Sequence, residues 1–176
     1  MKNNKGFTLI ELLIVIGIIS ILAGIVLVAV NPAEQFGKAN DSERKSEISM
    51  ILGAVYQYQT SPTARGALPI CETGAGDTPT AIPACGTEYA GALELGTAVT
   101  SLDCTDVLVP SYLREIPIDP TSTYDATATG YWVCQDSTGS VSRVYVIAEG
   151  AEVYSDDGGC STPGAVATEA AMCVSG

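Results

Sequence analysis

A chain of 176 residues has room for one compact domain of ordinary size plus an extension. Its 8 basic and 20 acidic side chains give a formal charge of −12, which argues against nucleic acid as a partner, because phosphate binding needs clustered Lys and Arg. There is no histidine, which excludes His-based triads, His-ligated zinc and imidazole general bases.

The first element is apolar. Lys2 and Lys5 flank a short polar start, and from Leu12 to Val30 no residue is charged. As a helix this run spans about 28 Å, close to a bilayer core of about 30 Å. A secretory signal peptide has an apolar core of about 7–15 residues and a small-residue cleavage site. Val28-Ala29-Val30 is a poor one, so the run reads as a membrane span. The uncompensated Lys2 and Lys5 keep the short end cytoplasmic, whereas Lys38, Arg44 and Lys45 are interleaved with acids. The exported part then meets an oxidising compartment, in agreement with six cysteines that all lie beyond residue 70.

Glu11 lies within this apolar sequence. A mid-bilayer carboxylate costs about 2.5–3.5 kcal/mol, and less toward the interface. Two readings follow: an interfacial glutamate that reaches the headgroups, or a charge kept for a partner's cation.

Lys5-Gly6-Phe7-Thr8-Leu9-Ile10-Glu11, followed by the long apolar run, resembles the N-terminus of type IV pilins and pseudopilins. The resemblance covers about the first 30 residues closely and extends in character to about Tyr58. It implies a leader at 1–6, cleavage between Gly6 and Phe7 by a prepilin peptidase, and N-methylation of the Phe7 amine. It also implies a membrane and assembly helix at 7–30, with Glu11 pairing with the Phe7 ammonium of a neighbouring subunit.

Asn31-Pro32-Ala33-Glu34 is a helix-start signal, so the first helix ends near Val30 and a second begins at Pro32, or one helix kinks there. Gly17 and Gly24 are either weak points or sites of close helix packing. Ile48, Ile51, Leu52, Val55 and Tyr58 or Gln59 form one apolar face of an amphipathic stalk over 31–60, with Glu43, Arg44, Lys45 and Glu47 expected away from it. Gln59-Thr60-Ser61-Pro62 ends that helix.

Residues 61–176 form the exported domain. Prolines and glycines predict a loop over Thr60–Gly86, with short helices at Tyr89–Leu95 and Asp106–Tyr112. Strands are predicted at Gly130–Gln135, Ser142–Glu149 and Glu152–Tyr154, and Gly164–Val174 as a helix or pinned coil. The expected fold is α+β: a long N-terminal helix packed on a small, disulfide-stabilised antiparallel sheet. Tyr112 to Pro120, read with Tyr131 and the strand through Val146, resembles a segment of major pseudopilins and of some bacterial pilins, although Thr121-Ser122 replaces the Trp-Gly expected after Asp-Pro. An Asp-Pro turn before a strand accounts for it equally.

Cys71, Cys85, Cys104, Cys134, Cys160 and Cys173 predict three disulfides, and six cysteines allow 15 pairings. The nearest-neighbour set, Cys71–Cys85, Cys104–Cys134 and Cys160–Cys173, is the expected one; its last member resembles the C-terminal loop of many pilins. Asp156 and Asp157 beside Gly158-Gly159 form a solvated turn or a calcium loop, without EF-hand spacing. No nucleophile has a recognisable base, and no P-loop or dinucleotide fingerprint occurs, so neither an enzyme nor a cofactor is expected. The expected function is that of a filament subunit. Its partners are further copies of itself, the prepilin peptidase and assembly machinery, and the inner membrane before assembly. It passes from a membrane precursor with a cytoplasmic N-terminus to a surface filament. The alternatives are a pseudopilin of a type II secretion or DNA-uptake system, and a non-polymerising, membrane-anchored binding domain.

Overall fold

A computed structural model describes residues 6–73, 78–85, 91–136 and 143–151, together with the backbone of 170–175. The chain divides into two units, Met1–Phe36 and Gly37–Gly176.

The first unit holds helix α1 (Leu9–Ala29) and the start of α2 (Pro32–Thr60). Twenty-one residues with no β-sheet partner and no buried side chain make α1 apolar on every side, with Glu11 as its only charge. At about 1.5 Å per residue it is some 31 Å long, enough to cross a bilayer core. Ser20 does not leave a polar group stranded on it, because its hydroxyl donates to the Ile16 carbonyl at 2.8 Å. The helix stops where Val30 turns extended, its N–H donating to Val26 at 3.0 Å. A new ladder starts with Gln35 N–H donating to the Asn31 carbonyl at 3.3 Å. Two helices therefore meet at Val30-Asn31, with Pro32 in the first helical position, where its missing N–H costs nothing.

In the second unit, α2 buries a stripe at three- and four-residue steps: Gly37, Asp41, Arg44, Ile48, Ile51, Leu52 and Val55. The expectation that Arg44 and Glu47 face away from the core is corrected here. Arg44 is fully buried and Glu47 half-buried, because Arg44 lies in line with Ile48 and Glu47 with Ile51, and both have polar partners in the domain. Glu43 and Lys45 are exposed, as their spacing implies.

The apolar part of the stripe covers a sheet of order β3-β5-β6-β7, with β3 at Leu93–Glu94, β5 at Tyr131–Asp136, β6 at Arg143–Ala151 and β7 at Ala170–Ser175. Its pairs are antiparallel, with Tyr131 opposite Ala148 and Val133 opposite Val146. With Val144 these residues form the buried face against Ile48, Ile51, Leu52 and Val55, as the alternation along β6 predicts. Trp132, Cys134, Tyr145 and Ile147 take the other face. A second sheet, β2-β1-β4, is built from Ile70–Thr73 (β1), Thr78–Ala81 (β2) and Leu102–Asp103 (β4). The architecture is α+β: a long apolar N-terminal helix followed by small antiparallel sheets.

Several local expectations are overturned. The stretch read as loop contains the β1–β2 pair, and Pro79 is compatible with it because β2 is an edge strand, where a missing N–H breaks no ladder. Leu93–Glu94 pairs with β5 instead of joining a helix. The helix expected at Asp106–Tyr112 is a single turn, α3 (Thr105–Leu108), ahead of Pro110. The tail forms β7, with Val174 opposite Val146, where helix or coil was expected. Glu152–Tyr154 lies outside the described residues.

The disulfides also depart from the nearest-neighbour set. Cys71 bonds Cys104 and Cys85 bonds Cys134, with Cα atoms 4.6 and 4.8 Å apart. Strand pairing decides this. Glu72 opposite Asp103 in the antiparallel β1–β4 register brings Cys71 beside Cys104. The Ala84–Gln135 bridge, with Cys85 N–H donating to the Gln135 carbonyl at 2.9 Å, brings Cys85 to Cys134. Of the third expected pair, Cys160 lies outside the described residues, and Cys173 is placed only by register, opposite Ile147.

Candidate functional site

The residues expected to carry processing and assembly, Gly6, Phe7 and Glu11, fall within six consecutive residues at the head of α1. Gly6 and Phe7 precede the helix in an exposed, non-helical stretch, and the Phe7 side chain is 91% exposed. A Cβ at Gly6 would meet nothing within 4 Å. The Gly6–Phe7 peptide is thus exposed among the described residues, immediately before the backbone becomes helical.

Glu11 sits in the first turn of α1, at one end of the apolar helix, and it closes a capping box with Thr8. Glu11 N–H donates to Thr8 Oγ1 at 3.3 Å. In return the Thr8 N–H and hydroxyl donate to Glu11 Oε2 at 2.9 and 2.7 Å. Three donors that the first turn would otherwise leave open to an apolar medium are thereby satisfied. Sequence reading missed this role for Thr8, although Thr8-x-x-Glu11 before an apolar run is the signature of such a box. A carboxylate at the end of the span also lies where its cost in lipid is lower than at the middle.

Beyond Glu11, α1 offers only apolar contact, with Leu9, Ile10, Leu12, Leu13 and the branched residues after them each more than half exposed. It is the one helix among the described residues long and apolar enough to cross a membrane.

A second constellation, also missed, lies in the exported unit. Arg44 Nε donates to Asp119 Oδ2 at 2.7 Å and its Nη2 to Asp119 Oδ1 at 3.0 Å, while Nη1 donates to Asp41 Oδ1 at 2.7 Å. All three side chains are inaccessible to solvent. Asp119 Oδ1 also accepts from Thr121 N–H at 2.9 Å and Thr121 Oγ1 at 2.6 Å. Burial pushes the Asp119 carboxyl up, but the Arg44 fork and the two Thr121 donors outweigh it and hold the group below the usual carboxylate range. One turn along α2, Tyr131 donates its hydroxyl to Glu47. Burial raises the Glu47 carboxyl above its ordinary value despite that bond. The Asp-Pro segment at Asp119 is therefore an anchor for α2 as well as a turn. Its sequence signal was the position of Arg44, four residues before Ile48 on the buried stripe.

Among the described residues no group of three or more acidic or cysteine side chains could hold a metal. Asp156 and Asp157 lie outside the described residues.

Comparison of the chain with curated proteins and with solved structures returns no match. Residues 1–27, the segment that holds Gly6, Phe7, the Thr8–Glu11 box and most of α1, match the model of the prokaryotic N-terminal methylation motif, so the chain carries the type IV pilin/prepilin-type signature.

Proposed function

We propose that the protein is a structural subunit that polymerises through α1 into a type IV pilus-like surface filament, without catalytic chemistry or a cofactor of its own. The observation that carries the reading is the juxtaposition at the head of α1. An exposed, non-helical Gly6-Phe7 stands directly before a helix that has a carboxylate in its first turn and no buried side chain. Before assembly the bilayer covers the apolar helix, with Lys2 and Lys5 on the cytoplasmic side. Cleavage after Gly6 by a prepilin peptidase removes both lysines and leaves a new ammonium at Phe7, which is then methylated. In the filament, α1 helices of neighbouring subunits cover one another, and the Phe7 ammonium of one subunit meets the Glu11 carboxylate of the next. A desolvated carboxylate gains most from a cation when water is excluded, so docking relieves its burial.

A pseudopilin of a secretion or uptake apparatus uses the same N-terminal chemistry, and the Tyr112–Pro120 segment favours that second reading. Electron microscopy separates them, since long extracellular filaments favour the pilus and short periplasmic ones the pseudopilus.

Mass spectrometry of the mature N-terminus tests the common core of both. A methylated Phe7 is expected, and an intact Met1 in protein from cells with a working peptidase refutes it. Glu11→Ala is expected to insert in the membrane normally and to form few or no filaments. Normal filaments from that variant would end the pairing mechanism while leaving polymerisation standing.

A further inference from the structure

Phe36, at the start of the second turn of α2, has a side chain that is 72% exposed; beyond α1 no large apolar side chain among the described residues is more so. We infer that this ring enters lipid at the end of the span opposite Glu11, and there anchors the start of α2 in the boundary between headgroups and acyl chains. This requires that α1 be the membrane span; it does not require polymerisation.

Phe36 belongs to the same compact unit as α1. The stripe that α2 buries begins one residue later, at Gly37. A single helical step turns about 100°, which takes Phe36 off that stripe. Helical side chains lean toward the N-terminus and cover the turn before their own Cα. For Phe36 that turn is Pro32-Ala33, which is apolar and exposed and is the end of α2 nearest α1. The ring is therefore directed back toward the span. Val28 and Val30, 88% and 47% exposed, carry apolar surface along the chain up to the break between the helices. Glu34 and Gln35, also exposed, lie on other sides of the same turn and keep those sides polar.

The dimensions agree. α1 by itself fills a hydrocarbon core of about 30 Å, and the polar layer on each side of that core is about 5–7 Å deep. From Pro32 to Phe36 the rise is about 6 Å. An α2 that stands upright thus carries the Phe36 backbone to about the top of the polar layer, and the backward lean returns the ring into it. The amphipathic Trp and Tyr of membrane interfaces keep a polar tip among the headgroups. A phenyl ring has no such tip, so it settles on the acyl side of the boundary, as the apolar face of an interfacial helix does. The chain has only two phenylalanines, and the other, Phe7, is 91% exposed at the opposite end of the span.

That scarcity provides the test. Labelling the full chain with para-fluorophenylalanine gives two fluorine signals, and Phe36→Leu assigns one by removing it. In phosphatidylcholine nanodiscs, a nitroxide at the headgroup end of the acyl chain should abolish the Phe36 signal. A water-soluble nitroxide should leave most of it. Survival of the signal with the lipid nitroxide overturns the inference. This holds if the soluble nitroxide then abolishes it, as for a solvated ring, or if neither does, as for a ring covered by its own domain or a second copy. Loss with both places the ring among hydrated headgroups and overturns it too. Ile18→Phe adds a third signal near mid-span, which a nitroxide at the tail end of the acyl chain should abolish. If that signal survives, α1 does not cross the bilayer, and the membrane span falls together with the anchor. If it is lost while Phe36 withstands the headgroup-end nitroxide, the anchor alone falls.

Discussion

Replacing Cys85 and Cys134 together by alanine tests both the strand pairing and the energetics of the exported unit. The bond closes a loop with a sequence separation of 49, and Cys71–Cys104 closes one of 33. In the chain-entropy model each restricts the unfolded chain by about 4 kcal/mol, against about 3 kcal/mol for a loop near 15 residues. Spread over Gly37–Gly176 at about 2.1 cal/mol/K per residue, 4 kcal/mol lowers the thermal midpoint by roughly 14 °C. Cys85 and Cys134 are both buried, so lost packing pushes the change further in the same direction. The assay is thermal unfolding followed by circular dichroism, with non-reducing peptide mapping of wild type and variant. The wild-type map should contain a Cys71 peptide joined to a Cys104 peptide, and the variant should retain it. A Cys71–Cys85 peptide in the wild type, or a midpoint within about 3 °C of it in the variant, would refute the reasoning.

Four further substitutions probe the buried charges, their surroundings and α2. Asp119 titrates below the usual range in the folded state, so it contributes stability in full above its unfolded value of about 4, lost as pH falls through the lower folded value. Glu47 is shifted the other way, chiefly by burial, so its contribution is present below about 4.3 and lost as pH rises through the folded value. Asp119→Asn should therefore flatten the loss of stability on acidification, whereas Glu47→Gln should raise the urea midpoint at pH 7 and change it little at pH 3. Gly150→Ala should destabilise by about 1–3 kcal/mol, because its methyl group meets a fork pinned on both sides. Gly53→Ala, in α2 with nothing within 4 Å of the added atom, should stabilise by about 0.5–1 kcal/mol in the same chemical denaturation assay.

The parts of this molecule that could be read from its sequence are those set by local rules. The extent of α1 follows from an uninterrupted uncharged run, the start of α2 from Asn31-Pro32, and the inward face of β6 from Val144, Val146 and Ala148 at alternate positions. The Gly6-Phe7 and Glu11 constellation is likewise contiguous in sequence. The failures share the opposite property. Cys71 meets Cys104 because two strands separated by the β1–β2 hairpin pair in space, which spacing does not reveal. The β1–β2 pair itself was masked by Pro79, whose acceptability depends on β2 being an edge. Arg44 carries the charge of a surface residue, and its burial is tolerable because Asp119, 75 residues away, joins Asp41 in accepting from it. The Thr8 cap, by contrast, is local, and Thr8-x-x-Glu11 ahead of an apolar run carries its signal.

Glu11 and Arg44 show two ways of placing charge where water is scarce. Arg44 is met at once within one folded domain: it donates to the carboxylates of Asp119 and Asp41, and Thr121 in turn donates to Asp119. Among the described residues Glu11 is bonded only through Oε2, by donors on its own turn, and by no cation. Such a group is tolerable at the end of a membrane helix, where headgroups and water are near. In the proposed filament it becomes a liability, because there the helix leaves the interface to pack among other apolar helices. An arriving ammonium then changes the free energy of docking without changing that of insertion. The two steps should respond separately to Glu11→Gln, which keeps a side-chain oxygen for the Thr8 cap and discards the charge. Membrane insertion and the helicity of α1 should match the wild type, while filament yield should fall toward that of Glu11→Ala. Wild-type filament yield from Glu11→Gln would mean that the cap, and not the charge, is what assembly uses.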